Sequence, residues 1–293
     1  MVAMEKLAAV GCALALTWGA ASALAQMGEL VDRDFLRVCA DPHNLPFSDQ
    51  AGEGFENKIA ELLAQDLGVP IAYTWYPQSI GFVRNTLGAR ACDVVMGMVT
   101  GSEVLQNTNP YYRSSYALVQ RADAPTKADS LADPRLAELR IGAVARTPPV
   151  DLLAQQGLLK NFTPYALVVD TRFDSPGRQM VEDVAAGKID LGVLWGPIAG
   201  YWAKQQSVPL EVIPLTGENA GVVRLDFRIT MGLRRNEPEW KRVLNDFIAA
   251  HEREIEAILL DYGVPLLDEQ GQQIKAAAGT REGALDRVGE PPA

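Results

Sequence analysis

Apolar positions along this chain follow two spacings: short β-branched runs and longer stretches with a helical period. Residues 35–40, 69–76 and 93–97 are short apolar runs bounded by Asp, Pro or Gly, and they read as strands. Between them, residues 55–67 place Ile59, Leu62, Leu63 and Leu67 on one helical face, and Gly68 stops the helix. Residues 81–89 carry a second helical pattern. A similar series follows the charged, Pro-containing stretch 121–133, with strands at 140–144, 165–169 and 190–194 and helix starts at Thr147-Pro148 and Pro176. After Pro214 the pattern gives a strand at 227–233 and one long helix from Pro238 to about Leu260. Trp240, Leu244, Phe247 and Ile248 form the apolar stripe of that helix. Strands separated by helices predict an α/β fold with a mostly parallel sheet, built as two lobes.

The two ends of the chain stand outside this pattern. Lys6 precedes an apolar run over 7–20, and Ala23-Leu24-Ala25 matches a small-residue cleavage site, so residues 1–25 read as a signal peptide. The run is short for a spanning helix, so a soluble, exported chain is expected after cleavage, located in the periplasm. Residues 276–293, rich in Ala, Gly and Pro, read as a flexible tail. The remaining chain divides into a first lobe of 26–120 plus 219–275 and a second of 121–218.

Composition narrows the chemistry. A hydrophobic fraction of 48% supports a sizeable core, and a net charge of −10 argues against nucleic acid as a partner. Two histidines leave little room for imidazole metal sites or His-based catalysis. Asp49, Glu53 and Glu56 miss the spacing of a calcium loop, and a polar turn before a helix explains them. No nucleophile–base arrangement or phosphate loop is present in the sequence, so neither catalysis, a cofactor nor a metal is expected. Of three cysteines, Cys12 leaves with the signal, and Cys39 and Cys92 either bridge in an oxidising compartment or remain buried thiols.

Several segments carry a resemblance. LRVCAD at 36–41, GFENKIAEL at 54–62 and GKID at 187–190 are similar, in this order, to pieces of the type II periplasmic solute-binding fold. That resemblance implies two α/β lobes, two crossing segments and a central interlobe cleft. DPHNLPFS at 41–48, GFVRNTL at 81–87, PYYRSSY at 110–116 and WGPIAGY at 195–201 resemble a narrower group. It is the family of solute-binding proteins associated with quinoprotein dehydrogenases, the J proteins of the XoxJ/MxaJ type. The resemblance implies a non-catalytic partner of a periplasmic PQQ-dependent methanol dehydrogenase and its cytochrome c, itself a monomer when alone. Amino-acid-binding relatives of the general fold clamp their ligand with an Arg and an Asp. Here GMVTGSEV at 97–104 offers no such Arg, and the lobe-two strand ends in Trp195-Gly-Pro. Free amino acids are therefore not expected to bind.

Ligands of parallel α/β sheets sit at strand C-terminal ends. The candidates there are Asp41 and Phe47, Trp75 and Tyr76, Thr100, Arg146 and Thr147, and Trp195, while Tyr201 and Trp202 could anchor a partner. Trp75 and Trp195 fill lobe cores in the competing reading, and Arg146-Thr147 is either an anion site or an ordinary helix start. Arg84 and Arg113 serve either lobe-stabilising ion pairs or partner contacts. The competing function is the substrate-binding component of an ABC importer for a small, weakly polar solute.

Overall fold

The computed structural model describes residues 29–101, 103–217 and 224–275. The signal-peptide and tail expectations, at 1–25 and 276–293, lie outside these residues. The first half of lobe one runs β1 (Leu36–Ala40), the hairpin strands β2 (His43–Asn44) and β3 (Ser48–Asp49), α1 (Phe55–Leu67), β4 (Ile71–Trp75), α2 (Phe82–Asn85) and β5 (Val94–Val99). A sixteen-residue strand, β6 (Gln106–Arg121), then leaves it. Lobe two follows as β7 (Ile141–Val144), α3 (Pro148–Gln155), β8 (Phe162–Tyr165), α4 (Pro176–Ala185), β9 (Leu191–Trp195), α5 (Gly196–Lys204) and β10 (Leu210–Pro214). The chain returns to lobe one for β11 (Asp226–Leu233), α6 (Pro238–Ala250) and α7 (Glu252–Asp261).

The order β4-β1-β5-β11-β6-β9-β7-β8 makes one curled mixed sheet, with β10 added on β6. β1 pairs in parallel with both β4 and β5, and β7 with both β8 and β9. The two parallel halves are joined by β6. Its first part, up to Ser115, pairs with β11, and from Tyr116 onward it pairs with β9 and β10. At the changeover Tyr116 donates its N–H to the Leu225 carbonyl and accepts from the Leu215 N–H, so both chain crossings meet at this residue.

Local chemistry fixes the parts that frame the cleft. Asn57 closes the start of α1 by accepting from the Gly54 N–H at 3.1 Å and from Asp49 N–H at 3.0 Å. A Cβ at Gly54 would stand 2.1 Å from the Phe47 carbonyl oxygen, so only glycine lets the hairpin lie against the helix start. Phe55, Ile59 and Leu63 are fully buried on the inner face of α1, packed with Met231, Leu244 and Phe247. Burying side chains of this size contributes about 1.5–3 kcal/mol each. Lobe two has two apolar layers, one around Leu118, Ile141 and Leu153 and the other around Met180, Val184 and Ala199. A disulfide joins Cys39 of β1 to Cys92, with Cα atoms 5.5 Å apart.

Four sequence expectations differ from the observed elements. Residues 81–89 form only the single turn α2, followed by turns, because Thr86 folds its hydroxyl back to the Phe82 carbonyl. Residues 166–169 are loop rather than strand; β8 ends at Tyr165, where Ala145 takes its carbonyl. The long helix from Pro238 breaks at His251 into α6 and α7, and the His251 ring is held against Asp66 at 3.0 Å. The pattern also passes over β6, whose first half buries Tyr112 in the lobe-one core and whose second half buries Ala117, Leu118 and Val119 in the two layers of lobe two, so it shows no single alternation.

Candidate functional site

The lobes meet over two adjoining cavities that share Gln78, Tyr116 and Trp195 in their walls. The outer one, a cleft of about 860 Å³, lies between the β2–β3 hairpin of lobe one and the loop 166–175 with α4 of lobe two. The inner one, about 290 Å³, is walled by Phe47, Tyr112 and Phe227 of lobe one, by Tyr116 at the crossing, and by Trp195 at the end of β9 of lobe two. Tyr116, Trp195 and Phe227 stand edge-to-face, with centroids 5.6 to 6.4 Å apart. This arrangement suits the ring quadrupoles and keeps the wall rigid.

Asp41 organises the lobe-one rim. It is buried and accepts from the His43 N–H at 2.9 Å and the Gln78 N–H at 2.6 Å. Its carboxylate also accepts from the Thr171 hydroxyl of lobe two at 3.2 and 3.3 Å, a direct bond across the cleft. In the facing loop Arg172 holds the Asp170 carboxyl down at about 2. The guanidinium of Arg178 lies 5.0 Å over the Trp202 ring and pairs with Glu182. Both cleft arginines are thus engaged within lobe two.

Glu56 is the ionisable carboxyl of the inner cavity. It occupies the first turn of α1 with its carboxyl against Gly97, where a Cβ would stand 2.1 Å from Oε1. Burial pushes this carboxyl up to about 8, so it is largely neutral at pH 7. Burial also raises Tyr116, to about 12, and holds Tyr111 and Tyr112 well above the usual phenol range.

The sequence candidates divide accordingly. Phe47 and Trp195 line the inner cavity, Thr147 and Trp202 line the outer cleft, and Asp41 ties its two sides. Thr147 is buried and donates its hydroxyl to the Val144 carbonyl, so it does not cap the N–H groups of α3. Arg146 is exposed at φ 64° and lies outside both cavity walls. Trp75 stacks on Tyr73 at 4.5 Å at the sheet edge, Tyr76 packs near Phe82, and Thr100 ends an exposed strand tip; none of the three lines either cavity. Tyr201 is half-buried and stacks on Tyr262 at 5.8 Å, joining α5 to the end of α7. Of the two arginines, Arg113 forms an internal pair with Asp226 and Arg84 is exposed.

Sequence reasoning missed Glu56, Tyr112, Tyr116 and Phe227 as wall residues. For Glu56 the signal was available, since helical spacing puts it on the same face as the buried Ile59, Ala60 and Leu63. A carboxyl on an apolar face is the informative exception.

Comparison with known proteins places this geometry. Residues 36–263 match bacterial extracellular solute-binding proteins, family 3. A MoxJ protein of Methylorubrum extorquens is 31% identical over 250 residues, covering 80% of this chain and 83% of the relative. The crystal structure of the periplasmic binding protein XoxJ from Methylobacterium extorquens AM1 is similar at a TM-score of 0.69 and 42% identity, covering 80% of this chain and 100% of that one. That of MxaJ from Methlophaga aminisulfidivorans MPT is similar at a TM-score of 0.69 and 27% identity, covering 79% and 100%. Among the described residues no helix is long and apolar enough to cross a membrane. With a two-lobed sheet, an aromatic interlobe cavity and these relatives, the chain belongs to the family 3 bacterial extracellular solute-binding proteins, in the group of MoxJ, MxaJ and XoxJ.

Proposed function

We propose that this chain is a non-catalytic periplasmic partner of a PQQ-dependent methanol dehydrogenase, serving its activation, maturation or assembly. The relatives named MoxJ, XoxJ and MxaJ support the association with methanol oxidation. The observation that carries a docking role is an apolar rim at the cleft mouth. Phe173, Val168 and Leu167 of the lobe-two loop that lines the cleft are 79%, 63% and 52% exposed. Large apolar side chains gathered at one opening mark an interaction surface more than a solvated loop. In this reading lobe one comprises 26–120 plus 219–275, lobe two 121–218, and the exported chain begins after residue 25. An importer component for a weakly polar solute is the second reading, supported by the cleft itself.

The test is affinity capture of the tagged protein from periplasm of strains with and without the dehydrogenase gene. Recovery of the dehydrogenase, with a change in its activity or cofactor loading when the purified proteins are mixed, is the expected result. Absence of association between the purified proteins at micromolar concentration and low salt would remove the reading.

A further inference from the structure

We infer that the inner cavity is a binding site for a small organic cation of the alkylammonium class. Aromatic rings of Phe47, Tyr112, Tyr116, Trp195 and Phe227 surround it, and Glu56 is the ionisable carboxyl in its wall. This composition matches the recognition chemistry of alkylated ammonium ions, whose charge is spread over a carbon shell that aromatic faces accept. The inference stands apart from the dehydrogenase partnership and requires no partner.

Glu56 is the part of the cavity that the fold alone leaves unexplained. Among the described residues its carboxyl has neither a hydrogen-bond partner nor an ion-pair partner. An unpaired carboxyl among apolar groups is costly, and it stays neutral unless a cation joins it. Gly97 makes the room it occupies, since a Cβ there would collide with Oε1. The fold thus keeps a side-chain acid where a hydrophobic residue would pack at no such cost.

Other ligand classes fit less well. A metal ion needs several oxygen, nitrogen or sulfur ligands, and among the described residues no group of three or more His, Cys, Asp or Glu is placed to hold one. An amino-acid zwitterion would bring a carboxylate, and the inner cavity offers no cationic side chain in its wall. Arg224 lies 5.9 Å over the Phe227 ring, but its Nε is 3.1 Å from Asp226 and so already paired. A neutral solute would leave Glu56 without a partner for its charged form. An alkylammonium ion satisfies the carboxylate and buries its methyl groups against the rings.

The cation also bridges the lobes, because Phe47, Glu56 and Tyr112 come from lobe one whereas Trp195 ends β9 of lobe two. Binding must ionise a carboxyl that is mostly protonated at pH 7, so it releases a proton. The titratable groups facing Glu56 are Tyr73 of β4 and Tyr111 and Tyr112 of β6, all with raised phenols that stay protonated there. None of them competes for the proton.

The experiment is calorimetric titration of the purified chain with choline as probe and dimethylbutanol, its neutral carbon isostere, as control. At pH 7, choline is expected to bind one per chain, at least tenfold tighter than the isostere. Repeating the titration in buffers of different ionisation enthalpy should show release of close to one proton. Glu56→Gln should lower choline affinity at least tenfold while leaving isostere binding unchanged. Trp195→Leu removes one ring and should weaken choline several-fold even if the Gln variant folds poorly. Equal binding of choline and its isostere, unchanged choline affinity in Glu56→Gln, or no choline binding by the folded wild type up to ten millimolar would each overturn the inference.

Discussion

Glu56 shows how much one side chain can couple stability to pH. Its folded carboxyl titrates near 8 because burial disfavours the charge, whereas its ordinary value is 4.5. Between those two values the folded chain holds a proton that the unfolded chain has released. Stability from this group is therefore fully present below about 4.5 and is lost as pH rises through about 8. The loss runs at up to about 1.4 kcal/mol per pH unit inside that window. Glu56→Gln carries no such proton, so its stability relative to wild type should rise with pH over this range. Urea denaturation of both proteins at pH 5 and pH 8 measures this; parallel wild-type and variant curves would show that Glu56 is not held neutral. At this scale the sequence was legible only where a residue type dictates its own environment. Phe47 and Trp195 announced themselves as large rings at strand or loop ends, whereas Tyr112 and Phe227 depend on strand pairings between distant segments. The same dependence put Trp75 outside the cavity, since β4 is the edge of the sheet and Trp75 stacks along it on Tyr73.

Elements were most legible where local chemistry and burial agree. Helix α1 has a glycine start with Asn57 closing it, a buried face and a left-handed Gly68 at its end, so its bounds follow from the sequence. The break at His251 does not, because the His251 ring, packed on Phe247, meets Asp66 only after α6 has docked. Residues 166–169 mislead for a similar reason: they are apolar enough for a strand but line the cleft, and no neighbouring strand takes their hydrogen bonds. The bridge between β1 and Cys92, two positions before β5, is an element-scale constraint, spanning 53 positions of sequence and closing β1, α1 and β4 into one loop. Closing a loop of that length restricts the unfolded chain by about 4 kcal/mol in the entropic treatment, with measured effects of about 2–4 kcal/mol. Cys39→Ala with Cys92→Ala should therefore lower unfolding free energy by about 2–4 kcal/mol, and reductant should lower the wild type similarly. A variant as stable as wild type would show that the surrounding apolar contacts of Leu87, Val95 and Phe82 suffice.

At the scale of the whole molecule, two lobes were legible because the strand–helix pattern repeats, but their relative placement was not. The repeat identifies what folds together, whereas closure depends on single contacts between segments far apart in sequence. Asp41 and Thr171, 130 positions apart, are such a contact. On the opposite side, Tyr201 stacks on Tyr262, and Tyr262 donates to the Glu53 carbonyl, so the α5 side is held by rings as well as by backbone. The cleft side is held more lightly. Loop 166–175 reaches the buried Asp41 through the Thr171 hydroxyl, and that carboxylate keeps the His43 and Gln78 N–H groups if the hydroxyl is removed. Thr171→Val consequently weakens closure without orphaning Asp41. A hydrogen bond to a charged group contributes about 1.5–3 kcal/mol, and the length of this one places it at the low end. Its loss should raise the open-to-closed ratio about tenfold. Small-angle scattering of the variant should give a larger radius of gyration than wild type, with an unchanged thermal midpoint for the lobe-one core. Because the apolar side chains of Leu167, Val168 and Phe173 flank this same opening, the variant should also carry that rim further from the β2–β3 hairpin. An unchanged radius of gyration would assign closure to the α5 side and leave Thr171 a minor contact.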